Sequence, residues 1–356
     1  MQTVLQAGQL LVFWILIFFF VPGTLAEKSN RRGEGSWLPL ALAGLLLTVV
    51  IGLRFKVGGD WSAYEQMFDF AQFATISESV REGDPAYGLL NWIAQRIGGG
   101  IWLVNLTCGL IFSWGLVRFA RTQANPWAVM LVAVPYLVIV VAMGYTRQGV
   151  AIGILMAGLA SLLRGGSTLK FVLFIVVAAL FHKTAIVALL LVLVTARRNL
   201  FLNLVFVLAA MAVLYDLLVA DAVDALLQNY VEQQYNSQGA LIRVSMSLAP
   251  AILFLAARKH FAFRPEEDTL WRNFAYATLG LVVLLAVLPS STIVDRLALY
   301  VLPLQLAIVA RIPDYLLKSS YARIFVVAYA IAIQFVWLNF AQNAEQWVPY
   351  NSYLWK

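Results

Sequence analysis

The chain has 356 residues, of which 62% are apolar and only 12% charged. That excludes a soluble domain, which carries about 45–50% and about 25%. The net charge of +7 is carried by Lys and Arg standing singly or in pairs beside apolar runs, as cytoplasmic flanks of membrane spans do, so no nucleic-acid partner is expected.

In chain order, apolar runs predict about twelve transmembrane helices at 8–25, 37–53, 100–118, 125–144, 147–163, 168–181, 183–196, 200–219, 244–257, 272–289, 296–311 and 322–341. The expected architecture is all-α, a single polytopic membrane domain over 1–356. Thr24-Leu25-Ala26 resembles a cleavage site, but residues 1–10 hold no Lys or Arg, so the first run reads as a span kinked near Pro22-Gly23. The sole cysteine, Cys108, lies inside a span and reads as a packing residue.

Residues 168–196 could form one long helix or two short ones. Two short ones put Lys28/Arg31/Arg32, Arg118/Arg121, Arg164/Lys170, Arg197/Arg198, Arg258/Lys259/Arg264 and Arg311/Lys318/Arg323 on one side. The positive-inside tendency therefore favours a pair meeting at Phe181-His182-Lys183, with re-entrant geometry. Both termini and the loops 54–99 and 220–243 then lie outside. The first loop is expected to be helical and interfacial, with stripes Trp61/Tyr64/Phe68/Ala71 and Ala86/Leu89/Leu90/Ile93/Ile97. The second is acidic.

Four polar clusters fall on that outer side, although the charge count did not require it. The first is Arg54, Lys56, Asp60 and Tyr64, with a Gly58-Gly59 turn that would admit a ligand to the backbone. The second is Tyr145-Thr146-Arg147-Gln148, an arginine at a tight hairpin where the positive-inside tendency disfavours it. The third is His182-Lys183, at the break between two short helices; the imidazole could take or relay a proton. The fourth is Asp295-Arg296, with Arg243 as a fifth candidate. Each also has a plainer reading as a solvated loop, an interfacial anchor or a helix-capping pair. Taken together, several cations and one or two bases at span ends suit a diphosphate carried on a lipid, since guanidinium pairs well with phosphate oxygens. A transporter would more naturally hold its charges near mid-membrane. No zinc-ligand spacing, phosphate-binding loop or nucleophile elbow occurs. Trp61 and Tyr64 could stack on sugar rings or belong to interfacial belts.

Three ordered motifs carry a resemblance: Arg54…Gly58-Gly59-Asp60-Trp61-x-x-Tyr64…Phe68, then Tyr145-x-Arg147-Gln148, then Ala179-Leu180-Phe181-His182-Lys183-Thr184-Ala185. Over residues 50–195 the chain resembles the EpsG family of Wzy-type exopolysaccharide polymerases. Lys183 departs from the small hydroxyl residue often found there. The resemblance implies a GT-C-like fold in the bacterial inner membrane and polymerisation on the periplasmic face. A growing glycan on undecaprenyl diphosphate would pass to the next lipid-linked unit, with a flippase and a chain-length co-polymerase as partners and no cofactor or metal. In that reading Arg54, Arg147, Lys183 and Arg296 hold the diphosphate. Asp60 or His182 accepts the acceptor proton, with Asp60 preferred. Tyr64, Trp61, Tyr145, Gln148, Asp295 and Arg243 contact sugar or other parts of the substrate. The rival readings are another lipid-carrier glycosyltransferase or ligase, and a flippase.

Overall fold

The computed structural model describes residues 2–26, 37–192, 239–288 and 291–356, with isolated positions at 205, 208–209 and 212; for 2–10 and 191–192 it describes the backbone alone. Among the described residues every regular element is helical, and the sole β feature is an isolated bridge between Arg54 and Ser352. Among the described residues six helices are long and apolar enough to cross a membrane, and four shorter apolar helices accompany them.

Helix α1 (Gln2–Ala26) runs unbroken through Pro22, and α2 (Trp37–Gly52) follows. The first loop folds into α3 (Trp61–Phe73), α4 (Ile76–Arg81) and α5 (Pro85–Arg96). Trp61, Tyr64 and Ala71 form the buried face of α3, three of the four residues in the stripe expected from sequence, with Phe68 half-buried beside them. On α5 the inward face is instead Tyr87, Asn91 and Ala94, while Ile93 and Ile97 point outward. The inward side of α5 covers a polar cluster, so its bulky aliphatics are left for the membrane interface.

Helices α6 (Ile101–Ala120) and α8 (Thr146–Leu163) cross through Gly115 and Gly153, where a Cβ on Gly115 would collide with the Gly153 carbonyl. Small residues let backbones approach this closely in a membrane, where packing rather than water exclusion drives association. Between them, α7 (Pro126–Ala133) widens into a π-helical stretch, Val134–Ala142, ending beside Tyr145. Pro135 has no N–H to donate within it. The Ile139 carbonyl accepts from Trp347 Nε1 at 2.8 Å.

Helix α9 (Thr168–Phe181) stops at His182; a 3₁₀ turn (Lys183–Val187) and α10 (Ala188–Val192) follow. The break between two short elements is where the sequence placed it. The rest of the expected 183–196 span, nearly all of 200–219 and the loop 220–243 up to Gln238 lie outside the described residues, as do Lys28, Arg31, Arg32, Arg197 and Arg198. Then come α11 (Ala240–Ala257), α12 (Pro265–Val287), α13 (Ser291–Ala298), which continues through a 3₁₀ turn into α14 (Leu302–Arg311), and α15 (Arg323–Phe340).

The C-terminal segment returns to the first loop. Phe55 N–H donates to Asn351 O, Gly58 N–H to Gln346 O and Tyr353 N–H to Leu53 O, each at 2.8 Å. Gly58 has φ +112° and lies against the Met143 carbonyl, a position only glycine fills without strain. These bonds carry the chain past Asp60 at a fixed height above the start of α8.

Candidate functional site

The polar clusters converge at one end of the bundle. Their hub is Asp84, which the sequence reading did not single out. It stands at the N-cap position of α5 but makes no side-chain cap. Its carboxylate is 5% exposed: Oδ2 lies 2.8 Å from Arg147 NH1 and 3.5 Å from His182 Nδ1, and Oδ1 accepts from the Lys183 backbone N–H at 3.1 Å. Burial raises its pKa, but the His182 contact, the Arg147 charge and the Lys183 N–H outweigh burial and hold the carboxyl below its ordinary value.

Asp60, half-buried at the start of α3, faces the same group. Tyr64 OH donates to its Oδ2 at 3.4 Å, so the expected four-residue pairing is present. Arg296 and Arg147 act on it electrostatically, as does His182, yet loss of water prevails and its pKa is raised. The guanidinium of Arg147 lies 5.9 Å from the Tyr64 ring centre. Gln148 Nε2 donates to the Arg296 carbonyl at 2.7 Å, tying α8 to α13. Arg243 NH1 pairs with Asp295 Oδ2, and the Arg243 guanidinium lies 5.8 Å from the Tyr145 ring.

Two cavities flank the cluster. One, of about 290 Å³, is roofed by α3 and α5 and reaches Asp84 and Arg147. The other, of about 630 Å³, is lined by Tyr145, Gln148, Arg243, Asp295, Arg296 and Trp347, among others. Neighbouring residues of α8 thus face different cavities: Arg147 the first and Gln148 the second. Among the described residues no three of His, Cys, Asp and Glu gather as metal ligands would.

Two expected site residues fall elsewhere. Arg54 is 0% exposed and lines neither of these two cavities. Its Nε donates to Val57 O at 3.1 Å and NH1 to Ile51 O at 2.6 Å; NH2 donates to Asn105 Oδ1 at 3.2 Å and Thr146 Oγ1 at 2.7 Å. With four donors committed to protein, it clamps the end of α2 to α6 and α8 and has no fork left for a diphosphate. Trp61, 7% exposed, packs edge-on to Phe55 and near Arg54, leaving no ring face for a sugar. Lys183 meets Asp84 through its backbone. Asp84 escaped the sequence reading because Glu82-Gly83-Asp84-Pro85 looks like an ordinary turn into a helix. A carboxylate before an N1 proline in a functional loop was the available signal.

The family model described as EpsG family matches residues 37–352. No curated protein and no solved structure matches the chain.

Proposed function

The chain belongs to the EpsG family, a family of Wzy-like polymerases, and from that premise we propose that its polar end joins lipid-linked glycan units into a polysaccharide. The observation that carries this reading is Asp60, a carboxylate short of water that is set among Arg147, Arg296 and His182, with a cavity on either side of the group. Such a carboxylate is a candidate base, and such arginines suit a diphosphate.

In this reading the donor glycan is carried on undecaprenyl diphosphate, and the acceptor is the next lipid-linked unit. The acceptor hydroxyl oxygen attacks the anomeric carbon while the bond to the diphosphate oxygen breaks. Asp60 takes the hydroxyl proton. Arg147 and Arg296 stabilise the charge that develops on the leaving diphosphate. Asp84 holds Arg147 at 2.8 Å and stands 3.5 Å from His182 Nδ1, which fixes both side chains in the cluster. Tyr145, Gln148 and the Arg243–Asp295 pair line the larger cavity and contact sugar. The work of neutralising the diphosphate falls to arginines, so no metal is required. The wider architecture in this reading is the twelve-span, GT-C-like bundle of an inner-membrane protein with its polar end in the periplasm, served by a flippase and a chain-length co-polymerase.

The test is purified protein incubated with authentic lipid-linked repeat units, resolved on a gel beside Arg147→Ala. A ladder from the wild type that fades by about 10²–10³-fold in the variant supports the reading. A single added unit makes the protein another lipid-carrier transferase or ligase. No new glycosidic bond, with the lipid crossing proteoliposome membranes, makes it a flippase.

A further inference from the structure

At the opposite end of the bundle Arg118, Arg121 and Arg164 come together where α6 and α8 finish. Arg118 lies in the last turn of α6, while Arg121 and Arg164 occupy the C-cap positions of α6 and α8. They are close enough for both α6 arginines to act electrostatically on Arg164. Three other arginines at this end have carboxylates: Arg258 has Asp268 at 3.2 Å, Arg264 has Glu267 at 2.7 Å, and Arg323 has Asp314 at 2.8 Å. Among the described residues the three clustered arginines have no carboxylate within ion-pair distance, and Nε of Arg118 and of Arg121 is buried without a hydrogen-bond partner. Two helix C-termini supply about half a negative charge each. About two of the three positive charges are therefore left over.

An apolar groove of about 630 Å³ leads from this corner along α6, α8 and α9. It is lined by Leu110, Trp114, Ile154, Leu173, Val177 and Phe181, among others, with Lys170 at its charged end. Trp114 joins the two features, because the Arg118 guanidinium lies 5.2 Å from its ring. The groove opens outward, with Trp114 42% and Leu173 57% exposed. From Lys170 to Phe181 a helix rises about 16 Å. That is about half of a hydrocarbon core of about 30 Å, the depth of one leaflet.

We propose that this corner and groove bind one anionic glycerophospholipid of the adjoining leaflet. Its phosphate sits among Arg118, Arg121 and Arg164, and an acyl chain fills the groove toward Phe181. The charge selects the headgroup: a zwitterionic lipid brings its own ammonium and compensates nothing. The length selects a chain of one leaflet, with its head at the end away from His182. The site is independent of the polymerase reading and uses none of its residues.

Native mass spectrometry of the full chain tests it, with phosphatidylglycerol and phosphatidylcholine added at equal concentration. The wild type should retain phosphatidylglycerol preferentially. Each arginine should be worth about fivefold in retention, so Arg164→Gln alone gives a measurable drop. The triple variant Arg118→Gln/Arg121→Gln/Arg164→Gln should retain the two lipids equally while keeping its thermal unfolding temperature in lipid-free detergent. Leu173→Trp, which fills the groove and leaves every arginine in place, should also lower phosphatidylglycerol retention. Equal retention of both lipids by the wild type would overturn the proposal, as would phosphatidylglycerol retention unchanged by Arg164→Gln. Displacement of the lipid by millimolar inorganic phosphate alone would mean an ion site without a lipid. Retention of a polyprenyl diphosphate but not of phosphatidylglycerol would assign the groove to an isoprenoid instead.

Discussion

Asp60 and Asp84 belong to one polar cluster, yet their surroundings drive them in opposite directions. Asp60 is raised, chiefly by burial. A carboxyl whose folded pKa exceeds its unfolded value costs stability above the unfolded pKa, and the cost fades as pH falls. Asp60→Asn should therefore abolish polymer formation while leaving the unfolding temperature at pH 7 unchanged or higher, as a thermal shift assay would read. The acid limb of the pH–rate profile should lie above the ordinary carboxylate value of about 4. Asp84 is depressed, so its stabilisation is present above the unfolded pKa and is lost only as pH falls through the lower folded value. Asp84→Ala strips Arg147 and the Lys183 N–H of their acceptor, at about 1–3 kcal/mol for each buried group left unsatisfied. Its unfolding temperature should drop at pH 7, and the gap to the wild type should narrow at acid pH. Asp60, Arg147, His182 and Arg296 were legible in the sequence because a charge at a span end is conspicuous. Asp84 was not, because its partners lie 63 and 98 residues further along and only the fold unites them.

Among the elements, the long apolar helices were readable from composition, and the break at His182 from the charge count across 168–196. What hydropathy could not reveal is which charged residue faces a cavity. Arg54 looked like a ligand cation because it follows a span, but it stands in a ring of acceptors from α2, α6 and α8 and acts as their clamp. Arg54→Met should therefore cost on the order of 3 kcal/mol or more in stability, by leaving those acceptors unpaired. The assay is the fraction of folded protein on size exclusion. Arg54→Lys should not rescue it, since one ammonium cannot reproduce a planar fork with donors in four directions. A diphosphate-binding role for Arg54 would predict the reverse: a folded, inactive variant partly restored by Lys. The π-helical stretch Val134–Ala142 was likewise unreadable, because its residues are as apolar as those of any α-helical span. It matters because it offers the Ile139 carbonyl to Trp347, which lines the larger cavity.

At the scale of the whole molecule, the polar end is assembled from segments far apart in the chain, and its frame is closed by the backbone bonds of Phe55, Gly58 and Tyr353 to and from the C-terminal segment. A chain stopped after Phe340 retains every helix that lines the cluster but loses this frame. It should insert in the membrane, form no polymer, and be cut by trypsin at Arg81 and Arg96 faster than the full chain, as a proteolysis time course would show. The same closure sets a clock on biosynthesis. Residues 346–353 leave the ribosome almost 300 residues after Asp60, a delay of roughly 15 to 60 s at ordinary translation rates of about 5–20 residues per second. Throughout that interval the first loop lacks the strand-like partner that holds it over α8. The nascent protein therefore meets its lipid surroundings with the loop unlatched, and competence arrives in one late step, when the tail docks.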